Sequence, residues 1–210
     1  MTPNANPIRI MTVDDHHLFR DGLASMIATQ TDMKMVAEAA TGLEAIDLFR
    51  QHRPDIALID LRLPDISGLD VIARIREQFP VARTIVLTTY RGDVQALRAL
   101  RAGAYGYLLK SMLRLYMVDT IRAVHAGHRR IPPEIASEMA EYAADDSLTL
   151  REIEVLQQVA AGNANKLVAD KLRISEDTVK AHMKSILSKL SANDRTHAVT
   201  IAMRRGFLDL

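Results

Sequence analysis

Five polar residues in the N-terminal part of the chain stand where apolar runs end. Asp14 and Asp15 follow the run Ile8–Val13, and Asp60 closes Ile56–Ile59. Thr88 ends Thr84–Thr88, and Lys110 follows Tyr105–Leu109. Carboxylates gathered at one place raise each other's pKa values unless a cation shares the site. A hard divalent ion such as Mg²⁺ takes oxygen ligands and usually keeps several waters. A phosphoryl group arriving there would meet a metal ion, an ammonium and a hydroxyl. Those groups neutralise and position its oxygens, which is what phosphoryl transfer requires. Taken singly, an Asp at a strand end reads as a loop or cap residue, and Lys110 as a solvated side chain. The ordered set carries the signal: acids after the first and third runs, Thr after the fourth, Lys after the fifth.

A second set lies near the C-terminus. Val179, Met183, Ile186, Leu187 and Leu190 recur at helical spacing. The opposite face then carries Asp177, Lys180, Ala181, Lys184 and Ser188. Small and basic residues on a protruding helix can enter a DNA major groove, with Lys180 and Lys184 reaching phosphates or guanine edges. On charge alone the same face reads as a solubilising one.

The elements that must position these residues follow from periodicity. Five short apolar runs, Ile8–Val13, Met33–Ala40, Ile56–Ile59, Thr84–Thr88 and Tyr105–Leu109, alternate with helical patterns. The patterns are Leu18 to Ile27, Leu43–Phe49, about Gly68 to Gln78, about Val94 to Arg101, and Val118–Val124. Such alternation predicts an α/β doubly wound fold with a five-stranded parallel sheet. Ligands of such sheets bind beyond the carboxyl ends of the strands. The rhythm breaks at Gly127, and Pro132-Pro133 adds punctuation. Residues 1–126 are therefore expected to form the first domain and 127–146 a linker, with a short helix over Glu134–Ala144. Residues 147–210 show only helical periodicity and are expected to form a second, all-α domain. Thr149 and Glu152 have capping-box spacing, Gly162 can stop the helix they open, and Ser175 is a good N-cap for the basic helix.

Composition narrows the class. The chain has 210 residues and no cysteine, which excludes disulfides, thiolate metal sites and Cys nucleophiles. No apolar run is long enough to span a membrane, and the N-terminus lacks signal-peptide regions, so a cytoplasmic address is expected. The net charge of +1 is uneven: residues 147–210 carry ten Lys/Arg against seven Asp/Glu, leaving the remainder slightly acidic.

Residues 8–126 resemble a response-regulator receiver domain. The resemblance lies in Val13-Asp14-Asp15, in Asp60 with Pro64 and Gly68, in Leu87-Thr88, and in Gly103-Ala104-x-Gly106-Tyr107-Leu108-Leu109-Lys110. It implies that Asp60 is the phosphoacceptor. Asp15, Asp60 and the Arg62 backbone carbonyl would bind Mg²⁺, with Asp14 helping through water. Thr88 and Lys110 would contact the phosphoryl group, and Tyr107 matches the aromatic that changes rotamer on activation. Most of 147–207 resembles the LuxR-type helix-turn-helix, through Leu148-Thr149-x-Arg151-Glu152, Gly162-x-x-Asn165-Lys166 and Ile174-Ser175-x-x-Thr178-Val179-Lys180-x-His182. The pair resembles the NarL/FixJ class of response regulators. It implies a recognition helix within Ser175–Leu190, with Thr178, Val179, Lys180, His182 and Lys184 at the DNA-facing positions. A helical wheel sets Val179 on the core side, and His182 suits packing or a phosphate hydrogen bond as well as base reading. The last helix would form a dimer on DNA through Val199, Ala202 and Met203. Implied partners are a sensor histidine kinase or small phosphodonor, a double-stranded DNA operator and a second copy of the chain, with no membrane.

Two departures and two rivals complete the reading. Ser111 stands where many receivers have Pro, so a cis bond there is not expected. Arg62 and Tyr90 are bulky at positions that border the path of hydrolytic water in receivers. An aspartyl-phosphate phosphatase of the haloacid-dehalogenase type also uses Asp, Thr, Lys and Mg²⁺, but needs an acid where Arg62 stands. A DNA-binding protein whose receiver only dimerises is the other rival, and the intact acidic set argues against it.

Overall fold

The computed structural model describes residues 6–89, 93–133, 135–137 and 148–208. The chain divides into two compact units, one made of most residues up to 133 and one made chiefly of residues 134–210.

The first unit is a five-stranded parallel sheet in the order β2-β1-β3-β4-β5. Its strands are β1 (Ile8–Val13), β2 (Met33–Ala39), β3 (Ile56–Asp60), β4 (Arg83–Thr88) and β5 (Gly106–Leu109). Helices α1 (His17–Ala28), α2 (Gly42–His52), α3 (Gly68–Gln78), α4 (Asp93–Ala102) and α5 (Leu113–His125) alternate with them. Strands covered on both faces need apolar residues at nearly every position. One set, Ile8, Ile10, Ile56, Leu58, Ile85, Leu87 and Leu108, packs with Leu23 and Ile27 of α1 and with Met117, Ile121 and Val124 of α5. The alternate residues Met11, Val13, Ala57, Ile59, Val86 and Tyr107 are fully buried on the other face. This is the expected doubly wound architecture, with boundaries shifted by a residue or a few.

Register builds the carboxyl edge. Val13 pairs with Ile59, Asp60 with Leu87, and Thr88 with Leu109. The residues just beyond, Asp14 and Lys110, therefore fall beside Asp60 and Thr88. A short 3₁₀ turn, Lys110–Met112, follows β5, and no cis peptide bond occurs among the described residues.

The expected linker begins differently. Gly127, at φ +93°, ends α5 in the left-handed region that a glycine adopts without steric cost. The chain then returns along β5. Tyr107 N–H donates to the Arg130 carbonyl, and Arg130 N–H donates to the Tyr105 carbonyl, both at 2.9 Å. These bonds cover part of an otherwise open sheet edge. Of the helix expected over Glu134–Ala144, only residues 135–137 are described, and they are helical.

The second unit holds α6 (Leu150–Ala160), α7 (Asn165–Leu172), α8 (Glu176–Lys189) and α9 (Arg195–Arg205). Val155, Leu156, Val159, Val168, Val179, Met183, Ile186, Leu190, Ala198 and Ala202 form its core. Thr149 and Glu152 make the predicted capping box, and Ser175 caps α8 through the Thr178 N–H. No helix among the described residues is long and apolar enough to cross a membrane.

One glycine is fixed by sterics. A Cβ on Gly68 would lie 2.0 Å from the Asp60 carbonyl oxygen, because the loop after β3 folds back on that strand end. Gly68→Ala must therefore displace backbone. We expect a loss of about 1–3 kcal/mol of stability and slower chemistry at Asp60. An unchanged urea midpoint would contradict this packing.

Candidate functional site

The carboxyl edge gathers Asp14, Asp15 and Asp60, and a single ammonium sits on two of them. Lys110 Nζ lies 2.6 Å from Asp14 Oδ2 and 2.7 Å from Asp60 Oδ2. Asp14 and Asp60 are buried, and Lys110 is only 12% exposed. The Phe19 ring stands 4.4 Å from the same ammonium and gives it a cation–π contact. Burial opposes the charge on Lys110, but the hydrogen bonds it donates to Asp14 and Asp60 outweigh that and hold its pKa above the usual lysine value. Asp60 moves upward instead. Its burial raises the carboxyl pKa more than Lys110 lowers it, and the Asp14 charge adds to the rise. One ammonium shared by two buried carboxylates cannot fully compensate either.

The loop after β3 frames Asp60. Arg62 N–H reaches Asp60 Oδ1 at 3.4 Å, while the Arg62 side chain is exposed. Asp65, further along, accepts from the N–H groups of Gly42 and Leu43 at 2.7 and 2.8 Å. It thereby satisfies donors at the start of α2 that Thr41 leaves unpaired. The Leu43 hydrogen bond leads in holding the Asp65 carboxyl at about 2. Thr88 is buried at the end of β4, and Tyr107 is fully buried on β5. Tyr90 lies outside the described residues.

Two features of the sites escaped sequence reasoning: the placement of His16 and the reach of Glu152 beyond its cap. His16 turns its Nδ1 to within 2.7 Å of Asp15 Oδ1 and 3.3 Å of Asp14 Oδ1. It directly follows Asp14-Asp15, so adjacency was the available signal. Asp14, Asp15, His16 and Asp60 each offer one ligand atom, all within 4.8 Å of one another. The other concerns Glu152. Its carboxylate is buried and accepts from Thr149 N–H at 2.7 Å, Ser185 Oγ at 2.7 Å and Lys189 Nζ at 2.9 Å. It thus ties the start of α6 to the last turns of α8. Burial alone would raise its pKa, but those donors bring it from 4.5 down to about 2.

On α8 the outer face is as expected. Asp177, Lys180, Ala181, Lys184 and Ser188 are exposed, and Thr178 and His182 are partly so. Lys180 is held 3.0 Å from Asp177 and 4.0 Å from Glu176, while Lys184 forms no ion pair with another described residue. Val179 must be removed from the DNA-facing set: it has no exposed surface and packs in the core, as its wheel position indicated. Ala202 is corrected likewise, being fully buried in the same core rather than available to a second chain. Met203 is 38% exposed, and Val199 is partly buried.

Comparison with known proteins agrees with both units. Residues 10–122, more than half of the chain, match the response regulator receiver domain, and residues 146–202 match bacterial regulatory proteins of the luxR family. The uncharacterized transcriptional regulatory protein YhcZ of Bacillus subtilis (strain 168) is 39% identical over 94% of this chain and 96% of its own. A LuxR-family two-component response regulator from Aurantimonas sp. SI85-9A1 is 39% identical, with a TM-score of 0.64 over 67% of this chain and all of that one. The response regulator ChrA of a heme-sensing two-component system is 33% identical, with a TM-score of 0.57 over 97% of this chain and all of its own. A receiver fold followed by a LuxR-type helical unit defines a class of transcriptional regulators. The chain belongs to it: it is a response regulator with a receiver domain and a LuxR-type DNA-binding domain.

Glu152 yields a prediction with a definite sign. A carboxyl group whose pKa is depressed on folding stabilises the fold above its ordinary pKa, and the contribution is lost as pH falls toward the folded value. Glu152→Gln should cost about 1–3 kcal/mol at neutral pH. The gap from wild type should shrink as pH falls from 4.5 toward about 2. Urea unfolding across that range measures it, and a gap that does not change with pH would contradict the assignment.

Proposed function

We propose that Asp60 accepts a phosphoryl group and that this event controls DNA binding by the C-terminal domain. The observation that carries the reading is the Lys110 ammonium held on Asp14 and Asp60 at the carboxyl edge of the sheet. In the transfer an Asp60 carboxylate oxygen attacks the phosphorus of a phosphodonor. The bond from phosphorus to the leaving group breaks, and an acyl phosphate forms on Asp60. Lys110 then meets a phosphoryl oxygen in place of a carboxylate, and Thr88 stands at the same edge to donate its hydroxyl hydrogen. The phosphodonor is a sensor histidine kinase or a small acyl phosphate. The chain accepts the group on itself, and no turnover of an external substrate is expected.

The donor set fits a divalent cation. Asp14, Asp15 and Asp60 cluster at one edge, one ammonium serves only Asp14 and Asp60, and Asp60 is left with its pKa raised by burial. Asp15 and Asp60, with the Arg62 carbonyl, are the expected ligands, and Asp14 acts through water. Mg²⁺ bound there would neutralise the charge on the phosphoryl oxygens. Tyr107 is the proposed relay to the rest of the receiver. On the DNA side, Lys180 and Lys184 contact the operator, with Thr178 and His182 beside them. The exposed part of α9 around Met203, with Val199, is the proposed contact between two copies on DNA. The proposed domain limits are 1–126 and 147–210, and the proposed location is the cytoplasm.

Phosphodonor labelling tests the first half. Asp60→Asn should abolish stable labelling, because an amide forms no acyl phosphate. Asp15→Ala should slow labelling and weaken its dependence on Mg²⁺. Undiminished, metal-independent labelling of both variants would overturn the assignment.

DNA titration tests the second half. Lys184→Ala should weaken binding more than Lys180→Ala, because Lys180 must leave its Asp177 partner to reach DNA. A residue that contacts only phosphate should also lower the salt slope by about one on removal. Wild-type affinity in both variants over a range of salt would show that this face does not touch DNA.

A further inference from the structure

We propose that His16 is a ligand of the Asp14–Asp15–Asp60 cation site and gives it a specific affinity for borderline transition ions. The proposal rests on the reading above that these carboxylates hold a divalent cation. Four ligand atoms, including one from His16, lie within 4.8 Å of one another. Ligands about 2.0–2.2 Å from a shared ion stand roughly 3 Å apart when adjacent and about 4.4 Å apart when opposite. His16 Nδ1, at 2.7 Å from Asp15 Oδ1 and 3.3 Å from Asp14 Oδ1, is already at adjacent-ligand spacing.

The local backbone favours this placement. His16 occupies the N-cap position of α1, yet its side chain caps nothing. The ring turns back toward the carboxylates instead. Its own N–H donates to Asp14 Oδ1 at 2.9 Å and fixes that oxygen beside the ring. Lys110 binds the other Asp14 oxygen, Oδ2, so the ammonium and the His16 ring lie at different oxygens of one carboxylate. The imidazole is 72% exposed, and an ion can reach it from solvent.

Ligand chemistry supplies the consequence. Oxygen donors suit Mg²⁺, whereas imidazole suits Zn²⁺, Ni²⁺ and other later first-row ions. Removing the imidazole should therefore weaken transition-ion binding and leave Mg²⁺ binding unchanged. An exposed imidazolium that only pairs with Asp15 would show neither selectivity nor a metal–nitrogen bond.

The test compares the full-length wild type with His16→Asn and Asp15→Asn. Zn²⁺ binding is measured in competition with a chelator, Mg²⁺ binding by calorimetry, and one equivalent of bound Cu²⁺ by electron spin echo modulation. His16→Asn should lose at least the roughly tenfold affinity for Zn²⁺ that even an outer-sphere partner contributes, while keeping its Mg²⁺ affinity. Cu²⁺ in the wild type should show nitrogen modulation that disappears in His16→Asn. Equal Zn²⁺ affinity in the two proteins, nitrogen modulation absent from the wild type or retained by the variant, or a parallel loss of Mg²⁺ affinity would each overturn the proposal. Asp15→Asn separates the underlying reading: Mg²⁺ binding unaffected by that change would remove the cation site itself.

Discussion

A single ammonium, that of Lys110, lies between two buried carboxylates at the edge of a parallel sheet, and the receiver is organised around that contact. Asp14 and Asp60 lose most of their hydration on folding, and Lys110 returns only part of it. Such a site tolerates charge rearrangement more readily than charge removal. In the proposed reaction a phosphoryl group on Asp60 would bring new oxygens to the same ammonium, and a divalent cation would supply the compensation that Lys110 cannot. The strand register is the precondition. Val13 opposite Ile59, and Thr88 opposite Leu109, set the four side chains within reach without any loop having to find them. The Phe19 contact and the close approach of Gly68 to the Asp60 carbonyl hold the surroundings in place.

The DNA-binding domain shows the same economy with the charges reversed. Here one buried carboxylate, Glu152, collects the donors. It begins as half of a capping box and ends on Ser185 and Lys189 of α8, so one side chain starts α6 and orients the proposed recognition helix. Its hydrogen bonds outweigh its burial, whereas at Asp60 burial outweighs the Lys110 bond. The difference suits the two roles. Glu152 is a fixed strut, and Asp60 is the group whose chemistry is proposed to change.

Much of this was legible in the sequence because the informative residues sit at fixed periods. The ends of apolar runs marked Asp14, Asp60, Thr88 and Lys110, and a parallel sheet has one carboxyl edge on which such ends meet. The spacing from Val179 to Leu190 marked α8 and predicted that Val179 would be buried. What stayed hidden depends on side-chain direction and tertiary reach. His16 follows Asp14-Asp15 directly, but the direction of its ring toward those carboxylates is a matter of side-chain geometry. Glu152 declared its cap but not Ser185 or Lys189, which lie more than thirty positions away. Asp65 caps a helix whose first residues precede it by more than twenty positions. Ala202, placed at a dimer surface by resemblance, proved to be core because a small apolar residue on a short helix fits either environment. Gly127 read as the start of a linker, but Arg130 finds the free edge of β5 first.

The central claim is that acyl phosphate on Asp60 raises the affinity of the whole chain for DNA. In the proposed switch, phosphorylation would act by shifting populations between states of different DNA affinity. A coupling of about 1–3 kcal/mol corresponds to roughly 5- to 150-fold in binding. The direct measurement is the affinity of one full-length preparation for a genomic binding fragment, before and after phosphorylation, at a single salt concentration and with labelling quantified. The proposed switch predicts tighter binding after labelling, within that range. Equal affinities in the two states, with Asp60 verified as phosphorylated, would contradict it.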